Sequence, residues 1–281
     1  MNDAGEGQES GPKIISTGWE RLRCAAAGRW RDLRAAAGFL TLLPAGTPAK
    51  QARQEAASGD GFLAGAVVMF PLVGAAVGMA AGAVLLFADA LGLPPLAAAF
   101  VALAALVVLT GALHEDGLAD VADGFGGGRT PHNKLRIMQD SRIGTYGVVA
   151  VVFRLGLRAA AVAALPAVPG AAALIAAAAL SRAMLPAIMR WLPPARPVGM
   201  SAEAGRPQVE TVVVAVIIGG LVALIALGPV TALLAAASAG SAAAAVALLA
   251  RQQIGGHTGD VCGAAQQTAE VAALLAVLAW R

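Results

Sequence analysis

The stretch FLAGAVVMFPLVGAAVGMAAGAVLLF, residues 62–87, contains no Asp, Glu, Lys, Arg or His. As a helix rising about 1.5 Å per residue it is long enough to cross a hydrocarbon core of roughly 30 Å. Within it Gly74, Gly78 and Gly82 recur at every fourth position, which puts them on one helix face and lets another helix approach closely. Residues 90–113 are equally free of charge, as are residues 211–250, where Gly228-Pro229 marks a tight turn between two spans.

The same reading extends over the chain. Candidate spans fall at 62–87, 95–113, 147–165, 170–191, 211–227 and 230–250, with a short last one at 268–280. The expected fold class is all-α, a polytopic integral membrane protein with about six or seven transmembrane helices. Composition agrees: of 281 residues only 13% are charged, against about 25% in soluble domains, and mean hydropathy is +0.72. A water-soluble globule is excluded. The net charge of +3 sits in short basic segments between apolar blocks, so nucleic acid is not an expected partner. Cys24 and Cys262 have neither zinc-type spacing nor a disulfide framework and read as incidental thiols.

At the N-terminus no basic patch precedes a short apolar run, so no cleaved signal peptide is expected. Residues 1–16 are mainly Gly, Glu, Gln and Ser and should be disordered. From Trp19 to Arg34, tryptophans and leucines alternate with arginines. That pattern suits a helix in the headgroup layer or a solvated basic tail. Residues 1–37 therefore form an extension, disordered or interfacial, and 38–281 a single membrane-embedded domain.

The richest polar segment is HEDGLADVADG, residues 114–124, directly after the second span. On a helix Asp116, Asp120 and Asp123 share one face. Like charges so arranged need a counterion, and a hard divalent cation such as Mg²⁺ supplies it while leaving positions for phosphate oxygens. A glycine triplet, Gly126-Gly127-Gly128, precedes IMQDSRIGTYG, residues 137–147, which combines Asp140 and Ser141 as acceptors with Arg142 as a fork donor for phosphate. Arg154 and Arg158 lie one turn apart inside one apolar span and Arg182 inside another. Ionisable residues at that depth either snorkel or mark an anionic ligand. A final polar turn, GGHTGD, occupies residues 255–260.

Taken together, residues 114–124, residues 137–147, and GGHTGD followed by Gly263-Ala264-Ala265 resemble the cobalamin 5′-phosphate synthases, also called adenosylcobinamide-GDP ribazoletransferases. Weaker agreement at FLTLLP (39–44), FPLVG (70–74) and Ser181-Arg182 extends the resemblance from about Gly38 to the C-terminus. Glu115 departs from the pattern, standing where an apolar residue is expected, and His257 where Gln is expected. The resemblance implies a Mg²⁺-dependent membrane transferase of a bacterial or archaeal cytoplasmic membrane, and an oligomer is compatible with it. Such an enzyme joins adenosylcobinamide-GDP to α-ribazole or α-ribazole 5′-phosphate and releases GMP. On that basis Asp116, Asp120 and Asp123 would hold the metal, Arg142 would stabilise the transferring charge, and Asp140 or Asp123 would take the hydroxyl proton. His114, Ser141, Arg182, His257 and Asp260 would contact substrate. A phosphotransferase acting on CDP-alcohols and a transporter with intramembrane charges are the competing readings.

Orientation follows from the Lys and Arg positions. The connections 89–94, 166–169 and 228–229 contain none, whereas the N-terminal segment, 114–146, 190–210 and 251–267 hold nearly all of them. By the positive-inside rule every polar motif faces the cytoplasm. A cysteine placed at Thr130 should then be labelled by an impermeant thiol reagent only from the cytoplasmic side; labelling from outside intact cells would invert this topology.

Overall fold

The computed structural model describes residues 18–43, 63–197 and 204–280, with the side chains of 18–27 left aside. The expectation of disorder for residues 1–16 lies outside the described residues. Eleven α-helices are described: α1 (Gly18–Leu40), α2 (Phe70–Ala90, entered through a 3-10 turn, Ala66–Met69), α3 (Pro95–Thr110), α4 (Leu113–Gly127), α5 (Pro131–Ile137), α6 (Thr145–Ala163), α7 (Ala167–Ala183), α8 (Leu185–Trp191), α9 (Val209–Leu227), α10 (Pro229–Ile254) and α11 (Gly259–Ala279). α1 continues through positions 37 and 38, so no structural boundary separates the extension from the domain there.

Among the described residues six stretches are long and apolar enough to span a membrane on their own, or seven if the α3–α4 pair, bent by 90°, is counted as one span. The bend replaces the continuous span 95–113 expected from sequence. Gly111 (φ 61°) and Ala112 (φ 57°) are both left-handed there, and Ala112 is the one non-glycine with positive φ among the described residues. Side chains beyond glycine reach this region only under strain, so the chain turns sharply and α4 leaves the direction of α3. Another break divides α7 from α8: Pro186 has no N–H to donate and its ring crowds the carbonyl four residues back, at Arg182. The last span also differs from expectation. α11 starts at Gly259, where Thr258 Oγ1 accepts from the Val261 N–H at 3.2 Å, so residues 259–267 are helix and not loop.

α7 forms the centre. Across the most apolar 18 residues of Ala167–Trp191, 78% are buried, against 22% in α9, which turns many of its Val, Ile and Leu side chains outward as a lipid-facing wall. α2 lies against α7 along the expected glycine face. A Cβ on Gly74 would sit 2.3 Å from the Ala178 carbonyl oxygen, one on Gly78 2.7 Å from Ile175 Cα, and one on Gly82 3.1 Å from Ala171 Cβ. Alanines at 173, 176 and 177 keep the rest of α7 narrow. Lipid tails are as apolar as the helices, so this close packing carries much of the association. Gly78→Ala should therefore lower stability in detergent by about 1–3 kcal/mol. Gly220→Ala, whose added Cβ meets nothing within 4 Å, should not. Equal thermal midpoints for the two variants would contradict the seam.

Candidate functional site

α4 and α11 cross with their backbones touching. A Cβ on Gly117 would lie 2.9 Å from the Asp260 carbonyl oxygen, and one on Gly263 would lie 3.3 Å from both Gly117 Cα and His114 Cα. Two of the motifs read from sequence meet at this crossing. It brings Asp116 and Asp120 of α4 beside Asp260 of α11, and a cavity of about 150 Å³ opens next to them. Its polar wall is His114, Asp116, His257 and Asp260; Phe39, Leu40, Phe70 and Met189 form the apolar one. Phe39 and Phe70 stack at 6.0 Å between centroids, so the end of α1 belongs to the site. The His257 turn is pinned to the segment after α8: its N–H donates to the Pro193 carbonyl and its carbonyl accepts from Ala195 N–H, both at 2.8 Å.

Electrostatics distinguish the two walls. Burial, and then the neighbouring Asp116, Asp260 and Asp123 carboxylates, push the Asp120 carboxyl up to about 7, against the pull of Arg196. Such a shift signals an acidic group short of positive charge. Burial lowers His257 to about 4. Burial followed by Arg182, Arg154 and Arg158 holds His114 well below its ordinary value. Both imidazoles are thus neutral near pH 7 and can either donate or accept.

Asp123 has a different environment from the other two carboxylates of its row. Its Oδ2 accepts from Gly144 N–H at 2.7 Å and its Oδ1 from Gly147 N–H at 2.9 Å, at the start of α6. A Cβ on Gly144 would fall 2.5 Å from Asp123 Oδ1 and one on Gly147 2.4 Å from Oδ2, which is why glycines stand at both positions. Asp123 therefore ties the first polar motif to the second, and the helix N-terminus favours its charge. Among the described residues no three His, Cys, Asp or Glu side chains converge at metal-binding distance, so the expected row of three metal carboxylates is not drawn together. Asp140 and Arg142 pair with each other, Arg142 Nε to Oδ1 at 3.0 Å and Nη2 to Oδ2 at 2.8 Å. The guanidinium holds the exposed Asp140 carboxyl down to about 2. With Ser141 they occupy an exposed loop outside the cavity wall, because opposite charges two residues apart satisfy one another locally.

Beneath His114 lies a buried charge network. Arg154 Nη1 donates to Glu115 Oε1 at 2.9 Å, Arg158 pairs with Glu270, and Arg182 Nη1 lies 3.8 Å from Glu270 Oε2 while donating to the Ala178 carbonyl at 3.1 Å. Gln266 Nε2 donates to Ser181 Oγ at 2.9 Å and also pairs with Glu270. Arg154 does not snorkel: it is 5% exposed because Glu115 meets it inside the bundle. Glu115 is buried at 6%, and Arg182, expected to contact substrate, does not line the cavity. Glu270, Gln266 and Gln267 carry no expectation from the sequence, and Glu115 stands out there only as a departure from the family pattern. Glu270, an ionisable residue within the expected last span, carried the same signal as the arginines.

Removing one partner of a buried pair leaves an uncompensated charge, at about 3–5 kcal/mol. Glu115→Gln and Arg154→Met should each destabilise the protein by that order, and the double variant should recover much of the loss. Strict additivity in a double-mutant thermal series would show that the two side chains do not interact.

Comparison with known proteins agrees with the motifs. The family description Cobalamin-5-phosphate synthase (CobS) matches residues 32–278. The chain is 48% identical over 252 residues to an adenosylcobinamide-GDP ribazoletransferase of Bradyrhizobium diazoefficiens, covering 89% of this chain and 94% of the relative. A protein of the same name from Azorhizobium caulinodans is 46% identical over 88% of this chain and 95% of its own. One from Sinorhizobium medicae is 41% identical over 87% and 95%. No solved structure gives a significant match. With the family match covering residues 32–278 and relatives 41–48% identical over nearly the whole chain, the chain belongs to the cobalamin-5-phosphate synthase family.

Proposed function

We propose that this protein is an adenosylcobinamide-GDP ribazoletransferase. It joins adenosylcobinamide-GDP to α-ribazole, or α-ribazole 5′-phosphate, giving adenosylcobalamin or its 5′-phosphate and GMP. The observation that carries this reading is the cavity at the α4–α11 crossing, where carboxylates, neutral imidazoles and an aromatic wall face one small space. The ribazole hydroxyl oxygen bonds to the cobinamide-bound phosphorus, the bond from that phosphorus to the bridging oxygen breaks, and GMP departs with that oxygen. Asp116, Asp260 and His257 stand on the cavity wall to accept the hydroxyl proton. Asp123, with both oxygens on backbone N–H groups, and Asp140, paired with Arg142, are less suited to that task. The apolar wall, with Phe39 and Phe70, suits the aromatic base of the acceptor.

For the metal, Asp116, Asp120 and Asp260 offer hard oxygen donors at the crossing, although like the expected row they are not drawn together at metal-binding distance; burial first, and then the neighbouring carboxylates, raise the Asp120 carboxyl. Mg²⁺ bound there would neutralise phosphate charge as a Lewis acid. The arginines behind His114 outnumber the glutamates three to two and add positive potential on the substrate side. Arg129, Arg136 and Arg196 lie in or beside the connections at the cavity end of the bundle, which supports a cytoplasmic position for the site.

Purified protein supplied with adenosylcobinamide-GDP, α-ribazole and Mg²⁺ should release GMP, detected by mass spectrometry, with no membrane gradient. CMP from a CDP-alcohol would favour the lipid-type phosphotransferase, and gradient-dependent uptake without turnover a transporter. Asp116→Asn, Asp120→Asn and Asp260→Asn should each lower the rate about 100-fold or more, while Asp89→Asn, exposed at the opposite end, leaves it unchanged. Wild-type rates in all of them at saturating Mg²⁺ would remove the metal assignment.

A further inference from the structure

A neighbouring cavity, of about 260 Å³, adjoins the one at the α4–α11 crossing, because His257 and Met189 line both. Trp191 at the end of α8, Pro193 and Pro194 after it, and Gly205-Arg206 from the segment leading to α9 complete its wall. Backbone contacts hold this wall in place. His257 is bonded to Pro193 and Ala195, and a Cβ on Gly256 would lie 2.2 Å from the Pro193 carbonyl oxygen. Gly205 has φ 82°, a left-handed turn ahead of Arg206, whose Nε donates to the Arg190 carbonyl at the end of α8 at 2.8 Å. That bond orients the guanidinium and leaves its two Nη nitrogens for an anion. Among the described residues no carboxylate pairs with it.

Size separates the roles of the two cavities. Roughly 150 Å³ is enough to hold a benzene ring, so the crossing cavity, of about 150 Å³, has room for one aromatic moiety and not for the acceptor base and a purine nucleotide together. The transfer reaction nevertheless needs the nucleotide half of the donor within a diphosphate's length of the phosphorus under attack. The neighbouring cavity meets that need: it begins at His257, its larger volume admits a two-ring base, and it offers an indole, 60% exposed, together with an anchored guanidinium. An indole face stacks on a base, and a guanidinium fork matches a phosphate. We propose that the cavity between the end of α8 and Arg206 holds the leaving nucleotide of the donor substrate, its base against Trp191 and its phosphate at Arg206. The assignment rests on the transferase reading above and adds to it the residues that select the donor.

The experiment uses the full chain purified in neutral detergent, with GMP as the probe. Equilibrium dialysis should show one GMP bound per chain, and CMP, whose single ring covers less of the indole, should bind several-fold more weakly. Trp191→Ala and Arg206→Gln should each weaken GMP binding about 10-fold or more. In turnover both should raise the KM for adenosylcobinamide-GDP by a similar factor, while kcat and the KM for α-ribazole stay near wild type, as the loss of binding shared by ground and transition states requires. Trp280→Ala, exposed at the far end of α11, should alter none of these. GMP binding unchanged in both variants would leave Trp191 and Arg206 as interfacial anchors only and overturn the proposal. Equal affinity for CMP, or a KM rise for α-ribazole in place of the donor, would overturn it too. The two readings fail separately: a wild-type protein that binds GMP through Trp191 and Arg206 yet releases none from the donor refutes the transferase, and normal turnover with wild-type KM in both variants refutes the nucleotide site.

Discussion

Gly117 of α4 and Gly263 of α11 allow two helix backbones to touch, and the polar groups of the cavity take their places from that contact. A side chain at Gly117 would force the Asp260 backbone to shift, and one at Gly263 would crowd Gly117 and His114 at 3.3 Å. Within a bilayer, packing of apolar surface has no solvent to escape from, so helices associate by close contact and by polar pairs. Both are present here. The glycine seam between α2 and α7 builds the scaffold by the same means, and α4, turned aside at Ala112, is laid across its end.

Polar pairing is concentrated around Glu270. Through Arg158, Arg182 and Gln266 it joins α11 to α6 and α7, and the Glu115–Arg154 pair joins α4 to α6. Buried ions are costly to desolvate, and such pairs persist when their geometry and extra hydrogen bonds compensate. The network also has an electrostatic effect. Burial first, and then the network's arginines, hold His114 well below its ordinary value, so the cavity presents carboxylates and an imidazole side by side. Acidic groups at the cavity and basic groups beneath it form an arrangement suited to a phosphate and its counterion.

Asp123 shows how one carboxylate links sequence motifs that lie apart in the chain. Spacing along α4 places it with Asp116 and Asp120, and the helix is indeed formed. Its oxygens are nevertheless taken by Gly144 and Gly147, which explains the glycines of the second motif as room for a carboxylate. Asp260, read from sequence as part of a polar turn, joins Asp116, Asp120 and Asp123 in the acidic group.

Much of the architecture was legible in the sequence because the bilayer imposes simple rules. Charge-free runs of about 20 residues and glycines at every fourth position report spans and seams without knowledge of any partner. The start of α11 was not legible, since Gln266 and Gln267 look like loop residues until Ser181 is seen to face Gln266. The same holds for Glu115, Arg154 and Asp123. Periodicity along one chain tells which side chains share a face. Which charge meets which, and whether a carboxylate is free for a metal or already held by backbone N–H groups, depends on distances between helices remote in sequence, and only the tertiary packing decides those.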